Sequence, residues 1–304
     1  MFNFSDHEWG LVLSGGGGKG AYQAGVFKAL EQYGIVDSIT AVSGASVGAL
    51  NMALFDNANS ELAYKIWGEI SPQQFLKLDD NFEDFTEGIL SRDGLINIID
   101  TYINLDDLRN SQRRLYVSVT EYDNLSDSTG QVKYLSLNYN NNKDIKDILL
   151  ASSALPIIYP PVEMNGKFYR DGGIKDNLPI APLYMEGIRN FIVVGMSPNT
   201  VIDYSKYPDA KFLFIKPHKS IGEFWDGTLD FTSLGAKIRM ELGYLDAVRD
   251  IEYFGKEDEI SKQEYNNSVN NDYLNMKYKS KQMLIKNTIN NEMDKINKII
   301  NKYL

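Results

Sequence analysis

The chain of 304 residues has no cysteine, which excludes disulfides, thiolate chemistry and sulfur-ligated metal sites. Its only histidines, His7 and His218, stand too far apart in sequence to suggest a zinc site. No apolar run approaches the roughly 18 residues of a membrane-spanning helix. The stretch Met1–Glu8 lacks the basic start and apolar run of a Sec signal. The missing cysteine fits cytosol and secretion equally; without a span or a Sec signal the expected location is cytoplasmic, either free or peripheral at a membrane. Basic charge is also scarce: 31 lysines and arginines face 41 acids, and the net charge of −10 argues against nucleic acid as a partner. The charge is uneven, because residues 262–304 carry eight lysines and four acids, leaving −14 on the rest. An apolar content of 43% suffices for a packed core, in one large α/β domain or two small ones.

Against these absences stands Gly44-Ala45-Ser46-Val47-Gly48. The β-branched run Ile39–Val42 before it reads as a buried strand, and Val47–Phe55 after it reads as a helix. A serine on a strand-to-helix turn, with Gly44 and Gly48 two residues to either side, has the sequence form of a nucleophile elbow. Such a turn would hold the hydroxyl at the end of the sheet, with a helix N-terminus behind it to favour negative charge.

Upstream, the apolar Leu11–Leu13 runs through Ser14 into Gly15, Gly16, Gly17 and Gly18, then Lys19, Gly20 and an amphipathic helix. Bare N–H groups at a helix start form an anion-binding nest. One anion is a dinucleotide pyrophosphate, since Gly15, Gly17 and Gly20 fit G-x-G-x-x-G and Asp37 follows where a ribose-binding acid would fall. The other is the oxyanion of a tetrahedral intermediate. A Walker motif is ruled out because glycine follows Lys19. A third reading is a turn that merely permits close helix-strand packing. The elbow favours the oxyanion, because a dinucleotide site gives no role to an exposed serine on the next strand.

A serine needs a base, usually histidine. His7 lies in a polar leader before the first strand, and His218 lies between lysines beside Pro217. Neither neighbourhood has the look of a catalytic turn. Asp171 offers an alternative: it ends the strand-like Phe168–Arg170 and precedes Gly172 and Gly173. Taken alone, Asp-Gly-Gly reads as an ordinary turn.

Together, Gly15–Gly20, Gly44–Gly48 and Asp171–Gly173, in this order and spacing, resemble the patatin-like phospholipase family. The stretches Ala151–Pro156, Tyr159–Val162 and Asp176–Pro179 are similar to it as well, and Gly243–Ala247 is similar with less specificity. The resemblance implies a three-layer α/β sandwich around a mostly parallel sheet. It also implies lipid acyl-ester hydrolysis by a Ser-Asp dyad without histidine, metal or organic cofactor. Ser46 would be the nucleophile, Asp171 its base, and the N–H groups of Gly15 to Gly18 the oxyanion hole. Lys19 matches a basic residue the family carries there, and no catalytic position departs from the pattern. A non-catalytic lipid-binding module on the same fold remains an alternative.

Strand-helix alternation independently predicts a mostly parallel sheet with helices on both faces: strands at 9–13, 39–43, 115–120, 191–196 and 211–215, helices at 19–33 and 47–55. Residues 60–110 carry Trp67, Phe75, Phe82 and Phe85 on a polar background. They form either an ordinary helical layer or a cap that binds acyl chains. The expected organisation is a patatin-like core over 8–200, extending to about 254, then a polar linker over 255–280 and an amphipathic helix over 281–304. In that helix Ile285, Ile289, Met293, Ile296, Ile300 and Tyr303 or Leu304 recur at spacings of three and four, a pattern suited to a membrane surface or to a packed helix.

Overall fold

Successive side chains of a strand point to opposite faces, so a strand apolar at every position must be buried on both. The computed structural model describes residues 3–57, 60–69, 71, 90–124 and 129–303, and its central strands obey this rule. The strands are β1 (Trp9–Leu13), β2 (Ile39–Ala45), β3 (Arg114–Tyr122), β4 (Gln131–Ser136), β5 (Val162–Met164), β6 (Lys167–Asp171), β7 (Asn190–Val194) and β8 (Lys211–Ile215). They form one sheet in the order β5-β6-β3-β2-β1-β7-β8, with β4 also paired to β3. The five strands from β3 to β8 along that path are mutually parallel, while β4 and β6 run antiparallel to β3. Leu11, Leu13, Val42 and Ile192 pack into one apolar cluster, and Val12, Ala41, Phe191 and Val193 pack into a second.

Helices cover the sheet. They are α1 (Ala21–Gln32), α2 (Val47–Asn57), α3 (Ser60–Glu69), α4 (Asp93–Tyr102), α5 (Leu105–Arg109), α6 (Asn142–Ser152), α7 (Ile180–Met185), α8 (Ser233–Tyr253) and α9 (Glu259–Tyr303). Buried side chains of α1, α2, α4 and α8 join the first cluster, and Ile180 and Leu183 of α7 join the second. The sheet is thus the middle of three layers, as the alternation predicts. On α8, Asp246 lies in the run Gly243–Ala247 and accepts a 2.8 Å hydrogen bond from the buried Tyr22 hydroxyl of α1.

The chain divides into two compact units, Met1–Gly255 and Lys256–Leu304. The second unit corrects one expectation: α9 begins at Glu259, so helix replaces most of the polar linker read over 255–280. Residues 256–304 contain neither glycine nor proline, and nothing in their backbone chemistry interrupts a helix that their polar face leaves solvated. Leu284, Ile285, Ile289 and Met293 are exposed along α9. The side chains of Ile296, Ile300, Tyr303 and Leu304 lie outside the described residues. No helix among the described residues is long and apolar enough to cross a membrane.

Candidate active site

Parallel sheets bind ligands beyond the carboxyl ends of their strands. Here β1 runs out into Ser14 and the glycine loop, and β2 runs out into Ser46. Ser46 alone separates β2 from α2 and has φ +55°, a left-handed conformation that a non-glycine residue keeps only when its surroundings impose it. The surroundings are visible. A Cβ at Gly48 would lie 2.3 Å from the Leu13 carbonyl oxygen, so only glycine lets α2 leave β2 this close to β1. The Ser46 N–H donates to Ser152 Oγ at 2.8 Å, and that buried hydroxyl donates onward to the Ser118 carbonyl at 2.7 Å. Ser152→Ala would leave an N–H and a C=O without partners, a cost of about 1–3 kcal/mol. We expect kcat to fall about tenfold with KM little changed, checked by steady-state kinetics beside thermal unfolding.

Register brings the carboxylate to the serine. Ala45 lies opposite Ser118 on β3, and Asp171 at the end of β6 lies opposite Val119 on the other flank of that strand. Ser46 Oγ donates to Asp171 Oδ2 at 2.6 Å, and Gly173 N–H donates to Oδ1 at 2.7 Å. The Asp171 main chain is held as well, its carbonyl by Thr120 Oγ1 and its N–H by the Ala154 carbonyl. Asp171 is 3% exposed. Burial penalises its charge and pushes its pKa up to about 6, against the opposing pull of the Ser46 and Gly173 hydrogen bonds.

The glycine loop abuts the serine: a Cβ at Gly15 would lie 2.8 Å from Ser46 Cβ. Its four N–H groups are not equivalent. The Gly15 N–H is committed to Asn177 Oδ1 at 2.9 Å, and Gly18 is buried against the Asp230 carbonyl and does not line the cavity. Gly15, Gly16 and Gly17 line the cavity. A buried polar chain fixes the loop against α2. Gln23 donates to the Ser14 carbonyl, Asn51 donates to Gln23 and to the Gly20 carbonyl, and Trp67 donates to Asn51. Half-buried Lys19 lines the same cavity, and burial lowers its pKa.

Ser46 and Asp171 open onto a cavity of about 390 Å3. Its walls are apolar, with Leu54 of α2, Ile66 and Trp67 of α3, Leu95 and Ile98 of α4, and Phe231. Helices of the 60–110 region therefore supply a wall of the cavity and also bury side chains in the core. Phe75, Phe82 and Phe85 lie outside the described residues. Asp37 precedes β2, at the opposite end of the sheet from the glycine loop. About five residues of strand, or roughly 16 Å, separate the two, which removes the dinucleotide reading. Neither His7 nor His218 lines the cavity.

Sequence reasoning did not single out Gln23, Asn51, Ser152 and Asn177 as site residues. Ser152 and Asn177 sit inside the two flanking stretches that carry the family resemblance, which was the available signal. Gln23 and Asn51 offered only a polar side chain on an otherwise apolar helix face.

The sheet order, the serine elbow and the carboxylate beside it define an elbow-bearing α/β protein. A family model for the patatin-like phospholipases matches residues 11–184, and the chain belongs to that family. Among curated relatives, Lysophospholipase NTE1 of Eremothecium gossypii is 26% identical over 257 residues, 80% of this chain and 15% of that protein. Neuropathy target esterase sws of Drosophila melanogaster is 26% identical over 66% of this chain and 14% of its own length. The chain thus spans about a seventh of the curated relatives it matches. A solved structure of VipD from Legionella pneumophila aligns with a TM-score of 0.46 at 16% identity, covering 81% of this chain and 67% of VipD.

Proposed function

We propose that this chain is a serine acyl hydrolase that cleaves fatty-acyl esters of phospholipids or other lipids through a Ser46–Asp171 dyad. The observation that carries the reading is the 2.6 Å hydrogen bond from Ser46 Oγ to a buried carboxylate at the foot of an apolar cavity. Membership of the patatin-like phospholipase family supports it, and so do relatives named as lysophospholipases. In the first half-reaction Asp171 Oδ2 takes the Ser46 proton as Oγ adds to the ester carbonyl. The Gly16 and Gly17 N–H groups meet the developing oxyanion. Collapse breaks the ester C–O bond, Asp171 returns the proton to the leaving alcohol, and an acyl-Ser46 remains. Asp171 then deprotonates a water, which displaces the acyl group as a fatty acid and restores Ser46. Oδ1 is held by Gly173, which leaves Oδ2 facing the serine.

A free carboxylate, with a pKa of about 3.9, is a weak base at neutral pH, and burial raises Asp171 toward usefulness. Because the base must be ionised, kcat/KM is expected to climb through pH 6 and level off above it. A soluble nitrophenyl ester measured across pH 4.5–8 reads this. A profile flat through pH 6 would remove Asp171 as the titrating base. The reading itself is tested with a fluorophosphonate probe and a fluorogenic phospholipid. Turnover together with covalent labelling mapped to Ser46 supports it. A folded protein that binds lipid vesicles but neither labels nor turns over would be a lipid-binding module instead.

A further inference from the structure

Three loops that wall the cavity also expose large apolar side chains. Ile174, beside the Asp171 turn, lines the cavity and is 40% exposed. Ile157 stands between the lining residues Leu155 and Ile158, 55% exposed and with φ +71°. A β-branched residue rarely adopts that conformation, and here it holds an isoleucine in water instead of in the core. The third loop, Ile221–Phe231, lays Thr228, Leu229 and Phe231 against the cavity. Its π-helical turn Phe224–Thr228 turns Phe224 and Trp225 outward, 44% and 78% exposed, with rings in edge contact at 5.3 Å. The loop is firmly anchored: buried Arg239 donates to the carbonyls of Ile221, Asp226 and Asp230 and pairs with the Asp230 carboxylate. The aromatic pair is therefore presented on a braced support.

We propose that Phe224, Trp225, Ile157 and Ile174 form a docking rim that inserts into the headgroup–acyl boundary of a lipid aggregate and delivers one acyl chain into the cavity. The inference rests on the hydrolase reading for its direction, because the loops that carry these side chains also wall the cavity that holds Ser46. Its chemistry fits that boundary, where an indole buries its ring and keeps its N–H wet. Charge favours a zwitterionic over an anionic surface: residues 1–261 carry −14, and Glu223 and Asp226 flank the aromatic pair. Apolar insertion, not electrostatic attraction, would hold the protein there.

The three tryptophans make the test direct. Trp9 is buried and Trp67 lines the cavity, so the signal of Trp225 is read as the difference between the chain and its Trp225→Phe form, which keeps both other indoles. The full chain carrying Ser46→Ala, so that vesicles stay intact, is mixed with phosphatidylcholine vesicles with and without brominated acyl chains. The expected result is a shift of emission to shorter wavelength, quenching by bromine, and persistence of both in high salt. Phe224→Ala/Trp225→Ala in the otherwise unaltered chain is expected to lower turnover of vesicle-borne phospholipid about tenfold or more, with hydrolysis of a soluble nitrophenyl ester unchanged. An unshifted, unquenched Trp225 in a protein that floats with vesicles overturns the inference and leaves the hydrolase reading intact. So does flotation that needs anionic lipid and vanishes in salt, which would point to the lysines of α9. Insertion of Trp225 in a protein that hydrolyses neither substrate would sink the hydrolase reading and keep the docking rim.

Discussion

Ser46→Ala is expected to lower kcat on order 10⁵-fold or more, and Asp171→Asn on order 10⁴-fold or more, with KM changed far less. The two side chains share one hydrogen bond and act as a unit, so the double variant should be hardly worse than the worse single one. Additive losses would mean that they do not work in the same step. The two variants should part company in stability. In the folded chain burial raises the Asp171 pKa to about 6, whereas in the unfolded chain it takes its ordinary value near 3.9. A carboxyl raised in this way costs stability above pH 6, where it is charged in both states, and costs nothing below about pH 4, where both states are protonated. Two pH units correspond to roughly 3 kcal/mol, an upper figure because asparagine keeps only part of the hydrogen bonding. Asp171→Asn should therefore melt higher than the parent at pH 8, and the gain should disappear near pH 4. Ser46→Ala removes a hydrogen bond that lowers the Asp171 pKa, so it should share none of that gain. Calorimetry of both variants at the two pH values reads the difference. An Asn variant that melts lower at pH 8 would mean that the buried charge is compensated by groups beyond Ser46 and Gly173.

The parts legible in the sequence were those whose cause is local. Gly44, Ser46 and Gly48 announce the elbow because the steric demand of that turn falls within five residues. The parallel strands β1, β2 and β7 announce themselves because burial on both faces leaves few polar positions, and the edge strand β8 keeps the same apolar run after Lys211. What escaped was set by distant partners. β4 is a partly exposed strand laid against β3, and β5 has only three residues, so neither carries a pattern that periodicity can detect. Ser152 reaches Ser46 across 106 positions and Asn177 reaches Gly15 across 162, and a lone serine or asparagine says nothing of such contacts. The same holds for the division of labour within the glycine loop. Four consecutive glycines look alike until the fold gives the Gly15 N–H to Asn177 and buries Gly18 against the Asp230 carbonyl.

That division yields the second large effect, at Gly17. Its φ is +56°, and a Cβ there would lie 2.2 Å from the Thr228 carbonyl oxygen, a backbone atom braced through Arg239. Gly17→Ala must shift either the glycine loop or the braced loop. Losing one oxyanion donor costs on the order of 10²–10³ in kcat. A similar fall is expected for Gly17→Ala as its N–H is displaced, with substrate affinity changed less because Leu54, Ile66, Trp67, Leu95 and Ile98 wall the cavity from α2, α3 and α4. Gly18→Ala is the control: its Cβ would meet the Asp230 carbonyl at 2.1 Å and push on the same braced loop, but Gly18 does not line the cavity. It should lose stability comparably and lose much less kcat. Equal losses in the two variants would assign the effect to the displaced loop and remove Gly17 from the oxyanion hole. A large loss in Gly17→Ala alone, at matched thermal stability, would leave the Gly17 N–H as the group that meets the oxyanion.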